Sequence, residues 1–144
     1  MNRLIILLII SIYISGCSWI IDFPRSMWGS SVRVLSDKRD QALSKEFSCS
    51  RDECFDEVLQ LTLPYGVEDP ENDKFLLFLK DKKKRHMIIM DVPASVDTTE
   101  VGVFFDSMAN GKIKVDISSL SSRAKEKAAG IIFTKLGTRF QDVP

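Results

Sequence analysis

Residues 101–117, VGVFFDSMANGKIKVDI, decide the fold. Before the turn, Val101, Val103 and Phe105 alternate with Gly102, Phe104 and Asp106. After it, Ile113, Val115 and Ile117 alternate with Lys112, Lys114 and Asp116. A period of two marks a strand with one face on a core. Asn110-Gly111 between two such runs is a strong hairpin signal, because these residues adopt the positive φ that a tight turn needs. The stretch therefore predicts an antiparallel hairpin whose last strand has a wet face and a dry face.

Upstream, Phe75-Leu76-Leu77-Phe78-Leu79 is a continuous apolar run, residues 80–85 are a charged turn, and Met87-Ile88-Ile89-Met90 is a second run. Pro93 marks the loop before the hairpin. The four runs together predict a β-meander. Downstream, residues 118–122 cap a final helix in which Ala124, Ala128, Ile131, Ile132 and Leu136 repeat at helical spacing. The small Ala124, Ala128 and Ala129 suit close approach to a sheet, and Gly137 suits a stop.

The chain before the meander is mixed. Residues 30–40 suit a short helix, with Ser30 or Ser31 as cap and Val32 and Leu35 three apart. Residues 41–49 alternate through Leu43, Lys45 and Phe47 as a strand. Ser50-Arg51-Asp52-Glu53 is a capping box. The helix it starts carries Cys54, Phe55, Val58, Leu59 and Leu61, and Pro64 and Gly66 end it. This order predicts an α+β domain: one antiparallel meander sheet with two main helices on one face, of the helix-grip kind.

The N-terminus reads differently. Arg3 precedes an apolar run over 4–14, which Ile14-Ser15-Gly16-Cys17 closes. The run is shorter than the roughly 20 residues a spanning helix needs. A short apolar core behind a positive head is an export signal. Small residues before a cysteine make it a lipoprotein signal, so residues 1–16 are expected to be removed and Cys17 to carry lipid. Each buried CH₂ contributes about 0.8 kcal/mol, and two or three acyl chains anchor firmly. Ser18 in place of Asp favours the outer membrane, facing the periplasm. The expected organisation is signal 1–16, lipid-anchored apolar tether 17–29, domain 30–140 and tail 141–144. Trp19, Ile20, Ile21, Phe23, Met27 and Trp28 make the tether unlike a flexible Gly/Ser linker. They suit either the membrane interface or a fold back over the domain.

Removing residues 1–16 from the 144 leaves 128, enough for one domain. The 20 basic and 20 acidic residues balance, so no global field points to nucleic acid. Assigning Cys17 to lipid leaves Cys49 and Cys54, an even pair that suggests a disulfide in an oxidising compartment, pinning the strand–helix corner.

No catalytic constellation is legible. His86, the one histidine, reads as a strand-end surface residue, and it lacks metal-ligand neighbours. Glu68, Asp69, Glu71 and Asp73 fail the calcium-loop pattern. Asp97, Glu100 and Asp106 have no visible partners. No metal or cofactor is expected. Lys80, Lys82, Lys83, Lys84 and Arg85 form a basic cluster suited to anionic headgroups, to an acidic partner, or merely to a solubilising tip. If Phe75, Leu77 and Leu79 face the core, Leu76 and Phe78 face away. Ile88 and Met90 (or Met87 and Ile89) and Phe104 join them. Leu76, Phe78, Ile88, Met90 and Phe104 are thus the candidate interaction surface, covered by a partner, a lipid chain or residues 18–29.

Several stretches resemble a family of small, uncharacterised bacterial lipoproteins. They are Trp28-Gly29-Ser30-Ser31 with Arg33, Phe47-Ser48-Cys49-Ser50 with Glu53-Cys54-Phe55, residues 97–105 (DTTEVGVFF), and Ile117-Ser118-Ser119-Leu120-Ser121 with Ala124-Lys125. That resemblance implies no activity and no functional residue. The element order is also similar to the helix-grip domains of BamC, a lipoprotein of the outer-membrane β-barrel assembly machine. The expectation is a non-catalytic envelope lipoprotein that binds a protein partner as an interaction or scaffold module, an accessory to outer-membrane assembly. The alternative is a periplasmic binder of lipid or another hydrophobic ligand in the helix–sheet groove.

Overall fold

The computed structural model of the chain describes residues 31–64, 67, 74–83, 85–90, 92–93 and 99–140. In order they form helix α1 (31–37), a 3-10 turn (Arg39–Gln41), strand β1 (Leu43–Phe47) and helix α2 (Arg51–Leu59). Strands β2 (Thr62–Pro64), β3 (Phe75–Asp81), β4 (His86–Met90), β5 (Val101–Ser107) and β6 (Ile113–Ser119) follow, then a long helix α3 (Ser122–Arg139). From Val32 onward these elements belong to one compact unit. The export signal 1–16, Cys17, the tether, residues 68–73, Asp97 and the tail 141–144 lie outside the described residues.

The strands make one sheet in the order β1-β6-β5-β4-β3-β2, and the class is α+β. The β5–β6 hairpin forms as its alternation predicts, pairing Val101 with Ser119 and Ser107 with Ile113. Its turn is longer than a two-residue loop. The Gly111 amide donates to the Met108 carbonyl (3.1 Å) and the Met108 amide to that of Lys112 (2.8 Å). Gly111 takes the left-handed conformation, φ 80°, that closes such a three-residue loop.

The face under α2 and α3 is the main core. Phe47, Phe75, Met87, Ile89, Val103, Phe105, Val115 and Ile117 pack there against Phe55 and Val58 of α2 and Ala128, Ile132 and Leu136 of α3. The rings of Phe55 and Phe105 sit 5.3 Å apart. Ala124, Ala128 and Ala129 are buried, as expected of small residues against a sheet. At the start of α2 the capping box is complete. The Glu53 amide donates to Ser50 Oγ (3.3 Å) and the Ser50 amide to Glu53 Oε2 (2.8 Å). Those bonds hold the Glu53 carboxyl below its usual range. Glu57, which is buried where Glu53 is exposed, joins the helices through Lys135 (3.1 Å) and Arg139 (3.6 Å).

Four expectations need correction. The helix from Arg51 stops at Leu59, before Leu61, where Thr62 Oγ1 donates to the Leu59 carbonyl (2.7 Å). Residues 62–64 then pair with β3 in parallel, so the sheet is not a purely antiparallel meander. Pro64 is tolerated because β2 is an edge strand. Gly137 does not stop the last helix, which continues to Arg139 and is closed by the Phe140 amide on the Leu136 carbonyl. Finally, the β3–β4 register shifts between Leu77 and Leu79. Leu77 packs on the main core, whereas Leu79 joins Phe78 on the other face. A bulge inserts one extra residue and so reverses the alternation beyond it.

Candidate functional site

The outer face of the sheet, away from α2 and α3, holds part of the expected interaction surface together with a group of charged side chains. Alternation along β4, β5 and β6 puts His86, Ile88, Gly102, Phe104, Asp106, Lys114, Asp116 and Ser118 there. It has an apolar half and a charged half.

In the apolar half Leu35 of α1 packs on Ile88 and Phe104, with Val32, Phe78 and Leu79 around them. Gly102 makes the approach of α1 feasible. A Cβ there would meet the Phe104 ring at 2.7 Å and Leu35 Cβ at 3.2 Å. Ser118 Oγ donates to the Leu35 carbonyl at 2.7 Å, tying the end of the helix to the sheet.

In the charged half Asp116 is the hub, with its side chain only 2% exposed. It accepts from Ser44 Oγ (2.7 Å) and Arg39 Nε (3.1 Å), and Lys114 Nζ lies 3.2 Å away. Arg39 Nη2 bridges Asp116 to Asp106. The Arg39 guanidinium also lies over the Phe104 ring, 4.8 Å from its centre, joining the two halves. Burial alone pushes the Asp116 carboxyl up, but the hydrogen bonds from Ser44, Arg39 and Lys114, with the Arg39 charge, hold it below the usual range. Burial likewise disfavours the Arg39 charge, and the two carboxylates outweigh it and raise its pKa. Both groups stay charged near neutrality, and neither is poised to exchange a proton there. Two cations face two carboxylates, so the arrangement neutralises itself. What it does is mechanical: it holds the segment 31–41 against the sheet. Lys125 Nζ of α3 adds a bond to the Gln41 carbonyl (2.7 Å).

The expected interaction surface is therefore partly occupied by the chain itself. Ile88 and Phe104 are buried, while Leu76, Phe78 and Met90 are half-buried, with Leu76 paired to Met90. Helix α1 supplies part of that cover, and residues 18–29 lie outside the described residues. His86 is buried (7% exposed), its ring 6.0 Å from that of Phe104, and so is not a surface residue. The wet face expected of β6 is only partly wet: Asp116 is buried, whereas the Lys114 side chain is 38% exposed. Asp106 is paired, and the Glu100 carbonyl accepts from Ser119 Oγ (2.8 Å). Arg39 and Ser44 went unrecognised as partners of Asp106 and Asp116 because these pairings span more than 60 positions of sequence. The one available signal was the trio of charges at 106, 114 and 116 flanking a hairpin turn.

Cys49 and Cys54 form a disulfide, Cα atoms 6.0 Å apart, at the corner between β1 and α2. Among the described residues no group of three or more His, Cys, Asp or Glu side chains is placed to hold a metal. Among them too, no helix is long and apolar enough to cross a membrane. The chain matches no protein family, no curated protein and no solved structure.

Proposed function

We propose that this chain is a non-catalytic lipoprotein of the bacterial envelope, held at the outer membrane by lipid on Cys17 and facing the periplasm. It serves there as an interaction or scaffold module, with its two main helices used in a helix-grip-like arrangement, and is an accessory to outer-membrane assembly. The observation that carries the reading is the Cys49–Cys54 disulfide. Disulfides persist in oxidising compartments, and this one leaves Cys17 as the odd cysteine. A scaffold is favoured over a hydrophobe binder because aromatic and branched side chains fill the space between the helices and the sheet: Phe47, Phe55, Phe105 and Ile132 are all at 1% exposure or less. The test is Cys17→Ala in the native host, read by acyl labelling and membrane fractionation. The expected result is an unprocessed chain that takes up no acyl group. A processed, membrane-bound Cys17→Ala chain overturns the reading.

A further inference from the structure

The sheet brings two turns to one end, and the first of them is strongly basic. The turn between β3 and β4, within residues 80–86, carries five basic residues against one acidic residue, Asp81. The turn between β5 and β6 carries Lys112, with Lys114 just inside β6. They are neighbours, because the Phe105 amide donates to the Arg85 carbonyl (2.9 Å) and His86 pairs with Phe104. Some of this charge is used internally: Lys82 binds Asp56 (2.9 Å) and Lys114 binds Asp116. Lys80, Lys83 and Arg85 are exposed, and among the described residues no carboxylate pairs with them. Arg85 sits in the left-handed region, φ 66°, which turns the chain sharply at the tip. At the same end of the sheet Met108, which closes the base of the second turn, is an apolar side chain 36% exposed. Exposed cations and an exposed apolar side chain at one end of the sheet match a phospholipid interface, where phosphates take the cations and the acyl boundary takes the apolar group.

We propose that this end of the sheet is a second membrane contact, in which Lys80, Lys83 and Arg85 bind anionic phospholipid headgroups and Met108 enters the interface. The inference rests on the lipid-anchor reading for its setting, not for its chemistry. It lays the domain on the bilayer with the β3–β4 and β5–β6 turns down. A basic residue near an anionic surface strengthens association about fivefold, so the three together account for roughly a hundredfold.

The test puts the full chain on neutral phosphatidylcholine vesicles and on vesicles mixed with an anionic phospholipid. Flotation on the neutral vesicles reports the anchor alone. Hydrogen exchange at the amides of 82–87 and 108–112 reports the turns. Exchange is expected to slow several-fold on the anionic vesicles only, to recover in about 0.5 M salt, and to be unaffected by lipid in the variant Lys80→Gln/Lys83→Gln/Arg85→Gln. These substitutions are all at exposed positions, and an unchanged disulfide and circular dichroism spectrum verify the fold. Should the chain fail to float on neutral vesicles, the anchor is wrong, and binding to anionic vesicles then measures the turns directly. Equal exchange on both vesicles, or slowing that survives salt, overturns the proposal.

Discussion

Replacing Asp116 by Asn removes one charge from the outer face and almost no volume. The carboxylate has three donors: Ser44, Arg39 and Lys114. An amide offers one acceptor where the carboxylate offers two, so one side of the site then faces donor against donor. Hydrogen bonds to a charged partner contribute about 1.5–3 kcal/mol, and breaking a fully buried ion pair costs about 3–5. Arg39 is a quarter exposed and keeps Asp106, which places the expected loss near 2–3 kcal/mol. Asp106→Asn is the control. Its side chain is 43% exposed, so the same chemistry is expected to cost under about 1 kcal/mol. Acid gives a second reading. The folded pKa of Asp116 lies below its unfolded value of 3.8, so its contribution is complete above that value. It is lost as pH falls through the lowered folded pKa, because the unfolded state then binds the extra proton. Urea denaturation near neutrality, repeated stepwise below about pH 4, measures both effects. Asp116→Asn is expected to lower the midpoint markedly near neutrality and to flatten the acid limb. Equal losses for the two Asn variants, or an unchanged acid limb in Asp116→Asn, would refute the hub role of Asp116.

Three further predictions concern packing and the corner. Gly102→Ala brings a Cβ to 2.7 Å from the Phe104 ring and 3.2 Å from Leu35 Cβ, so a loss of about 1–3 kcal/mol is expected, largely relieved by adding Phe104→Leu. Leu35→Ala leaves a cavity over Ile88 and Phe104, and about 2–4 kcal/mol should be lost, with faster hydrogen exchange in 31–41 than in β5. Uniform acceleration of exchange would show that the segment opens only with the whole domain. Cys49→Ser with Cys54→Ser opens a short loop, for which chain entropy gives about 2 kcal/mol. Denaturation with and without reductant should show that difference in the parent chain and none in the double variant.

Much of this fold could be read along the chain. Alternation in 101–105 and 113–117, the Asn110-Gly111 turn, the Ser50–Glu53 box and the Ala124-Ala128-Ile132-Leu136 repeat each act within a few residues, and each element appears where its local chemistry places it. The Cys49–Cys54 pairing was legible for the same reason: one strand end and one helical turn bring the two together. Three features had no local signature. The extra residue in β3 that turns Leu79 outward depends on how Leu77 and Leu79 register against Ile88 and Ile89. The parallel seat of Thr62, Leu63 and Pro64 exists only because the edge of β3 is free. The burial of Asp116 follows from Arg39, 77 positions away, arriving over Phe104. Sequence by itself determined which faces alternate and where helices start, because propensity, capping and side-chain period act over one or two turns. Only the tertiary structure decided which polar face would be covered and what would neutralise it. Covering that face required a cation and a helix from another part of the chain to meet two carboxylates that the hairpin had already placed side by side.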